Sequence, residues 1–161
     1  MQKKFVDLIG QRIFFHVVSD GTEGVLLGWN FTFFDIHSTK ALQYGFCMWL
    51  SNGQKVTCLG DEPFNPACKH WVENTSTLLC EAFCLYEDRE KFKPYEKHHS
   101  TVKDACLLAQ QLNLPRLIIW HTEDENYLVR QEKYLAEGRQ YYTGSLHVPY
   151  DLDVLDLAFD A

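Results

Sequence analysis

The sequence predicts an α+β domain in which helices pack on one face of a mixed β-sheet. Strand-like apolar runs crowd its first half, and its second half alternates helices with strands. Residues 98–121, which read HHSTVKDACLLAQQLNLPRLIIWH, combine an amphipathic helix with an apolar strand that follows it directly. The 161 residues are enough for one domain with its own core, and no repeat or linker divides them.

The helix in this segment has clear boundaries. Ser100 or Thr101 can cap its start, because a hydroxyl accepts a hydrogen bond from an unpaired backbone N–H. Asn113 tolerates the left-handed conformation at a helix end, and Pro115 prevents continuation, so we predict a helix over 101–113. Its buried face should consist of residues at helical spacing, namely Val102, Ala105, Cys106, Ala109 and Leu112.

The other elements follow from apolar runs and turn residues. We predict strands at 13–18, 25–29, 30–36, 44–50, 55–59, 77–81, 117–120, 146–148 and 154–157. A short helix is expected at 65–73, a short polar helix or a loop at 86–92, a longer helix at 127–137, and the end of a helix at 1–9. The Asn52-Gly53 pair between two strands predicts a hairpin with a type I′ turn.

Four strand-like runs end in residues that bind metals or transfer protons. These residues are His37, Asp61, Glu81 and His121. In open α/β sheets ligands bind at the carboxyl ends of strands, and rigid strands can bring such groups together. Imidazole and carboxylate are suitable ligands for zinc, manganese or iron, while Glu81 and His99 are candidates for acid–base chemistry. The alternative is that these groups satisfy one another in a polar seam.

Composition and charge exclude several classes of protein. The formal net charge is −7 and no basic stripe is visible, which argues against a nucleic-acid partner held through its phosphates. No apolar run approaches the ~20 residues that a membrane span needs, so we expect no membrane association. The first residues lack the apolar segment of an export signal, so we expect a cytoplasmic protein whose six cysteines are reduced.

The order of these motifs is similar to that of the metallo-β-lactamase superfamily, and in particular of its ribonuclease Z-like hydrolases. The stretch FFDIHSTKALQYGF resembles the third metal motif of the superfamily, TCLGDEP resembles the fourth, and NTSTLLCEAF resembles the strand that follows. The run from HHST to LIIWH resembles the helix, strand and histidine of ribonuclease Z-like members. The resemblance covers residues 12–157, and so nearly all of the chain.

The resemblance implies a role for each of the five residues. His37 and His121 would be terminal ligands of two metal ions, which are zinc or else manganese or iron, and Asp61 would bridge the ions. His99 would transfer protons, with Glu81 as its acidic partner. The activity implied is hydrolysis of an ester or phosphodiester by water activated at the dinuclear site.

Two departures from the family pattern modify this expectation. The motif HxHxDH, which provides most of the metal ligands in the superfamily, is absent from the sequence. We therefore expect residues 1–161 to form a single partial domain, the C-terminal half of an αββα sandwich. The hairpin between His37 and Asp61 is too short for the arm with which ribonuclease Z enzymes grip transfer RNA, so a small-molecule ester or phosphodiester is the expected substrate.

The incomplete ligand set leaves more than one class of function open. The chain is either a hydrolase whose chemistry needs the missing half, or an inactive fragment or interaction module that keeps the half-fold. A ligand-binding module without metal is a third class. For the chain alone we expect weak or absent metal binding. We also expect an exposed apolar sheet face, including Phe31, Phe33, Phe46 and Met48, that packs against a chain carrying the N-terminal half or against a second copy.

Overall fold

A computed structural model describes residues 8–125 and 127–158. Seven strands form one sheet in which the spatial order follows the chain order. The strands are β1 (Glu23–Leu26), β2 (Trp29–Asp35), β3 (Tyr44–Trp49), β4 (Lys55–Cys58), β5 (Thr77–Glu81), β6 (Arg116–Trp120) and β7 (Ser145–His147). Neighbours from β1 to β4 are antiparallel, and neighbours from β4 to β7 are parallel. The predicted mixed sheet is therefore confirmed.

The helices follow the predicted pattern. They are α1 (Lys69–Val72), α2 (Arg89–Phe92), α3 (Val102–Gln111) and α4 (Arg130–Gly138), with short 3-10 turns at Pro66–Cys68, Tyr95–Lys97 and Tyr127–Val129. Thr101 caps α3 in a reciprocal arrangement, because its hydroxyl accepts from the Asp104 N–H while the Asp104 carboxylate accepts from the Thr101 N–H. Asn113 takes a left-handed conformation with a φ of 50°, as expected after the helix.

The hydrophobic core lies between the helices and one face of the sheet. The predicted inner face of α3 is buried at Val102, Ala105, Cys106 and Ala109, and Leu112 is half-buried. Across from it, the sheet contributes the buried side chains of Phe34, Leu78, Leu117 and Ile119. The ring of Trp71 in α1 stacks on Phe34 with a centroid distance of 5.3 Å. Helices on one face of the sheet, as predicted, thus close a single core.

The opposite face of the sheet is less exposed than expected. Phe31, Phe33, Phe46 and Met48 are half-buried rather than open to solvent. The rings of Phe31 and Phe46 contact each other across the β2–β3 pair, with centroids 5.4 Å apart. Larger exposed apolar groups lie at the adjoining β1–β2 edge, where Val25 is 66% exposed and Leu27 is fully exposed.

Two predicted strands are wrong. Residues 13–18 form no strand, and only Ile13 makes a single bridge to Ile9. Their apolar side chains face solvent rather than a neighbouring strand, and Val17 is 95% exposed. Residues 154–157 also form no strand, because the chain leaves the sheet there and the Asp156 carbonyl accepts a hydrogen bond from the Arg116 guanidinium at 2.6 Å. An apolar run forms a strand only where its backbone pairs with a neighbouring strand, and neither segment pairs with β1 or β7, the edge strands of the sheet.

Several smaller details also differ from expectation. The predicted strand at 25–29 is divided by a turn at Leu27-Gly28, so that β1 ends at Leu26 and β2 begins at Trp29. In the β3–β4 hairpin Gly53 has a φ of 83°, but Asn52 does not have a positive φ, so the turn is not type I′. Most of the predicted helix end at 1–9 lies outside the described residues. None of the described helices is long and apolar enough to cross a membrane.

Gly138 provides a test of the packing between α4, α3 and β7. A Cβ atom added to Gly138 would lie 2.4 Å from Leu146 Cδ2 and 2.9 Å from Cys106 Sγ. Because such overpacking forces neighbouring atoms apart, we expect Gly138→Val to lower the free energy of unfolding by about 1–3 kcal/mol, measured by urea denaturation. Gly24→Val in β1 is the control, since nothing lies within 4 Å of its added Cβ. Equal effects in both variants would contradict this account of the packing.

Candidate functional site

The four predicted strand-end residues lie at one end of the sheet. Strands β2, β4, β5 and β6 run in the same direction, because β2 and β4 are each antiparallel to β3 while β4 to β6 are parallel. His37 lies two residues beyond β2 and Asp61 three beyond β4, whereas Glu81 ends β5 and His121 directly follows β6. The expectation that these residues share one edge is confirmed at the level of topology.

Glu81, His99 and His121 form the centre of this edge. The distance from His99 Nδ1 to Glu81 Oε2 is 3.6 Å, and the rings of His99 and His121 have centroids 5.0 Å apart. The Glu81 side chain is fully buried, and that of His99 is 11% exposed. Within the described residues, neither Glu81 Oε2 nor His99 Nδ1 has a hydrogen-bond partner. These two buried polar atoms are close enough to exchange a proton through a small movement or a bridging molecule.

Local structure holds the pair in place. Ser100 donates its backbone N–H to Glu81 Oε1 at 2.6 Å and its hydroxyl to the Glu81 carbonyl oxygen at 3.0 Å. Phe83, two residues beyond β5, stacks on His99 with an interplanar angle of 21°. The imidazole is therefore fixed between an aromatic ring and a carboxyl group that the HST segment anchors.

The surroundings shift both protonation equilibria toward the neutral forms. Burial raises the pKa of Glu81 to about 7, partly opposed by the hydrogen bonds from Ser100 and by the charge of Lys40. Burial lowers the pKa of His99, and the charges of Lys40 and His121 lower it further. A carboxyl group and an imidazole that are both close to neutral near pH 7 can accept and donate protons there.

His37 and Asp61 lie at the same edge but make different contacts. His37 is exposed, and its nearest charged group is Asp35, with 3.7 Å between His37 Nδ1 and Asp35 Oδ2. Asp61 is half-buried, and its charge acts on the pKa of both Glu81 and His99. His37 and His121 have positive φ angles of 57° and 54°, a conformation that costs energy for residues other than glycine. Such strain is concentrated at functional sites.

Glu62 is a site residue that sequence reasoning missed. It is buried, and its carboxylate accepts the Ser38 hydroxyl at 2.6 Å and the Thr39 N–H at 3.3 Å. Lys40 Nζ lies 3.7 Å from the same carboxylate. Glu62 thereby ties the segment after His37 to the segment of Asp61. A second acidic residue directly after Asp61 was the available signal, but the sequence did not indicate its contacts.

The contacts of Glu62 predict a local effect of removing its side chain. We expect Glu62→Ala to accelerate hydrogen exchange at the Thr39 amide and to lower the free energy of unfolding by about 1–3 kcal/mol, since hydrogen bonds to a buried charged group are lost. NMR-detected exchange and urea denaturation measure the two effects. Glu96→Ala, at an exposed carboxylate, is the control. Unchanged protection of Thr39 in Glu62→Ala would refute this coupling.

The side chains at this end of the sheet are of types that bind metals, but too few of them lie together to form a complete metal site. Two imidazoles and a carboxylate, from His37, His121 and Asp61, are typical zinc ligands. The described residues, however, contain no group of three or more histidine, cysteine, aspartate or glutamate side chains that could hold a metal ion. The described residues alone thus do not fit a metal, and we derive no chemical step from one bound to this chain by itself.

Comparisons with known proteins agree with the fold. No family model matches the sequence. Ribonuclease Z of Bacillus cereus (strain AH187) is 30% identical over 93 residues, which are 58% of this chain and 30% of that protein. This chain therefore matches less than a third of the length of its curated relative.

Two solved structures share the fold. A diphosphatase from the PhnP family aligns with a TM-score of 0.67 and 17% identity, over 98% of this chain and 54% of that one. The metallo-beta-lactamase fold protein YhfI from Bacillus subtilis aligns with a TM-score of 0.65 and 15% identity, over 82% of this chain and 51% of that one. At such low identity these likenesses establish the fold, and the alignments cover about half of each larger structure.

Proposed function

We propose that this chain, which has the metallo-β-lactamase fold and is similar in sequence to ribonuclease Z, provides one half of a hydrolase active site. The observation that carries the proposal is the buried Glu81–His99 pair, with its two unpaired polar atoms, at the edge where the four strand-end residues lie. In this proposal residues 1–161 are a partial domain, and the complete site needs a segment that carries HxHxDH.

The proposed metal ligands are divided between the two halves. His37 and His121 would be terminal ligands and Asp61 would be the bridge, and an HxHxDH segment outside these 161 residues would complete the coordination of two ions. Zinc is the proposed metal, with manganese or iron as the other possibilities for imidazole and carboxylate ligands. When bound, the ions activate water and stabilise the charge that develops during hydrolysis.

The chain's own catalytic residues are His99 and Glu81. His99 donates a proton to the leaving oxygen, and Glu81 accepts from or returns a proton to the imidazole. The raised pKa of Glu81, about 7, supports this role, because its carboxyl group can then exchange a proton near pH 7 with an imidazole whose pKa is lowered by burial. Phe83 and Ser100 hold the pair in position.

The proposed substrate is a small ester or phosphodiester in the cytoplasm. The net charge of −7 opposes the approach of a long polyanion. The residues between β2 and β4 form one strand with short connections, which offers no arm for gripping RNA. Hydrolysis of an RNA end in preference to small substrates would contradict this part of the proposal.

The test compares the chain alone with an assembled protein, meaning this chain together with an HxHxDH-bearing half. That half is taken from the coding sequence next to this one or from the N-terminal part of the Bacillus cereus ribonuclease Z. We expect weak zinc binding and no measurable hydrolysis of bis(4-nitrophenyl) phosphate or 4-nitrophenyl acetate by the chain alone, and both tight binding and hydrolysis after assembly. Inactivity of a stable assembly would favour the inactive interaction module. Robust activity of the chain alone would show that unidentified ligands complete the site.

A further inference from the structure

A cavity of about 430 Å³ opens beside His99. Helix α3 forms one wall through Asp104 and Leu108, and Phe64 and Tyr95 line it from neighbouring loops. The buried thiol of Cys80 in β5 also lines it. The proposed function assigns no role to this space. Its volume lies within the ~300–1,000 Å³ of ordinary small-molecule pockets.

The walls of the cavity are mainly apolar, and the polar groups of Tyr95 and Asp104 are engaged with one another. The Tyr95 hydroxyl donates to Asp104 Oδ2 at 2.8 Å, and the Thr101 hydroxyl donates to the same atom at 2.7 Å. Burial and the bond to Asp104 raise the pKa of Tyr95 to about 12, so this phenol remains neutral. Burial likewise raises the pKa of Cys80 well above its ordinary value, so its thiol remains uncharged.

His99 connects this apolar space to the proposed chemistry. It lines the cavity and also lies 3.6 Å from Glu81. In hydrolysis the oxygen of water forms a bond to phosphorus or to an acyl carbon, the bond to the leaving oxygen breaks, and the leaving oxygen receives a proton. If His99 delivers that proton, the leaving group must lie against His99 and therefore beside the cavity.

We propose that the cavity binds the apolar part of the leaving group, an aromatic ring or a branched alkyl chain, of an ester or phosphodiester. The identification of the bound group as the leaving group rests on the proposed function. Binding of an apolar group, by contrast, depends only on the cavity itself. The substrate class is thus narrowed to small molecules whose leaving alcohol is apolar. Water released from the apolar walls favours such binding.

The first experiment measures binding to the metal-free 161-residue chain and needs no hydrolysis. 4-Nitrophenol and 4-tert-butylphenol are titrated into the chain and followed by NMR, with glycerol as the polar comparison. We expect saturable shifts at His99, Leu108 and Tyr95 for both phenols and none for glycerol. Shifts that are absent, or that lie outside the cavity, would overturn the proposal.

Variants that block the cavity provide the matched comparison. Leu108→Trp fills the space from α3, and Gln111→Trp obstructs its exposed mouth without changing the core. Val154→Trp is the control, because Val154 is 95% exposed and does not line the cavity. We expect the dissociation constant of 4-nitrophenol to rise at least tenfold in both blocked variants and to be unchanged in the control. Circular dichroism verifies folding, and equal affinity in all folded variants would refute the site.

A second measurement separates failure of this inference from failure of the proposed function. In the assembled protein, kcat/KM is compared for two phosphodiesters, methyl 4-nitrophenyl phosphate with an aromatic leaving group and methyl 2-hydroxyethyl phosphate with a polar one. We expect Gln111→Trp to reduce the preference for the aromatic leaving group at least tenfold. Phenol binding without hydrolysis would refute the proposed function and retain the cavity as a binding site. Hydrolysis with no change of preference would refute the cavity's role and retain the function.

Discussion

Asp61→Ala is expected to abolish hydrolysis by the assembled protein more completely than His99→Ala. In the proposed site Asp61 bridges both ions, so its loss disturbs the coordination of each, whereas loss of His99 leaves the ions bound. Removing a proton-transfer group costs about 10²–10⁴-fold in rate, so His99→Ala should retain measurable kcat/KM. Asp61→Ala should fall below that level, to the uncatalysed background. The rates are measured on methyl 2-hydroxyethyl phosphate, because its alkoxide leaving group needs the proton from His99, whereas 4-nitrophenolate leaves without one.

Metal content distinguishes the two variants independently of activity. We expect Asp61→Ala to bind zinc with lower stoichiometry and affinity, and His99→Ala to retain the stoichiometry of the unmodified assembly. Asp151→Ala is the control for removal of an exposed aspartate, and it should change neither quantity. Full zinc content in Asp61→Ala together with a smaller loss of rate than in His99→Ala would overturn the bridging role.

The sheet and the convergence of its strand ends could be predicted because they depend on local signals. The apolar runs predict β5 and β6, and the cap at Thr101 predicts the start of the helix α3 that connects them, a connection typical of parallel strands. Once β4, β5 and β6 are parallel, Asp61, Glu81 and His121 must share an edge. The periodicity of α3 identified its buried face for the same reason, since helix geometry sets which side chains point together.

The details that escaped prediction depend on contacts between distant segments. The bond from Ser38 to Glu62 joins residues 24 positions apart, and no local pattern encodes it. Residues 13–18 have the composition of a strand but contact no strand partner beyond the Ile9 bridge. The cavity beside His99 arises where α3, the segment after Asp61 and the Tyr95 turn meet. In each case tertiary packing, which sequence periodicity does not report, decides the outcome.

Glu81→Gln is expected to change the pH dependence of stability in the metal-free chain. Burial raises the folded-state pKa of Glu81 to about 7, above its ordinary 4.5. Folding therefore favours the protonated carboxyl group, so this contribution to stability is fully present below pH 4.5 and is lost as pH rises through 7. Linkage gives a difference of about 3 kcal/mol between these limits. The glutamine amide cannot ionise, and its carbonyl can still accept the Ser100 N–H bond.

Urea denaturation at pH 5 and pH 8 measures this difference. We expect similar unfolding free energies for the two proteins at pH 5, and a variant that is about 2–3 kcal/mol more stable at pH 8. His99, whose lowered pKa reduces stability as pH falls through its ordinary value, is present in both proteins, so the comparison reports Glu81 together with its effect on His99. Glu132→Gln, at an exposed position of α4, should show no pH-dependent difference. If Glu81→Gln instead loses stability at pH 8 relative to pH 5, the buried carboxyl group is held as a charged partner of His99, and the proposed neutral pair is wrong.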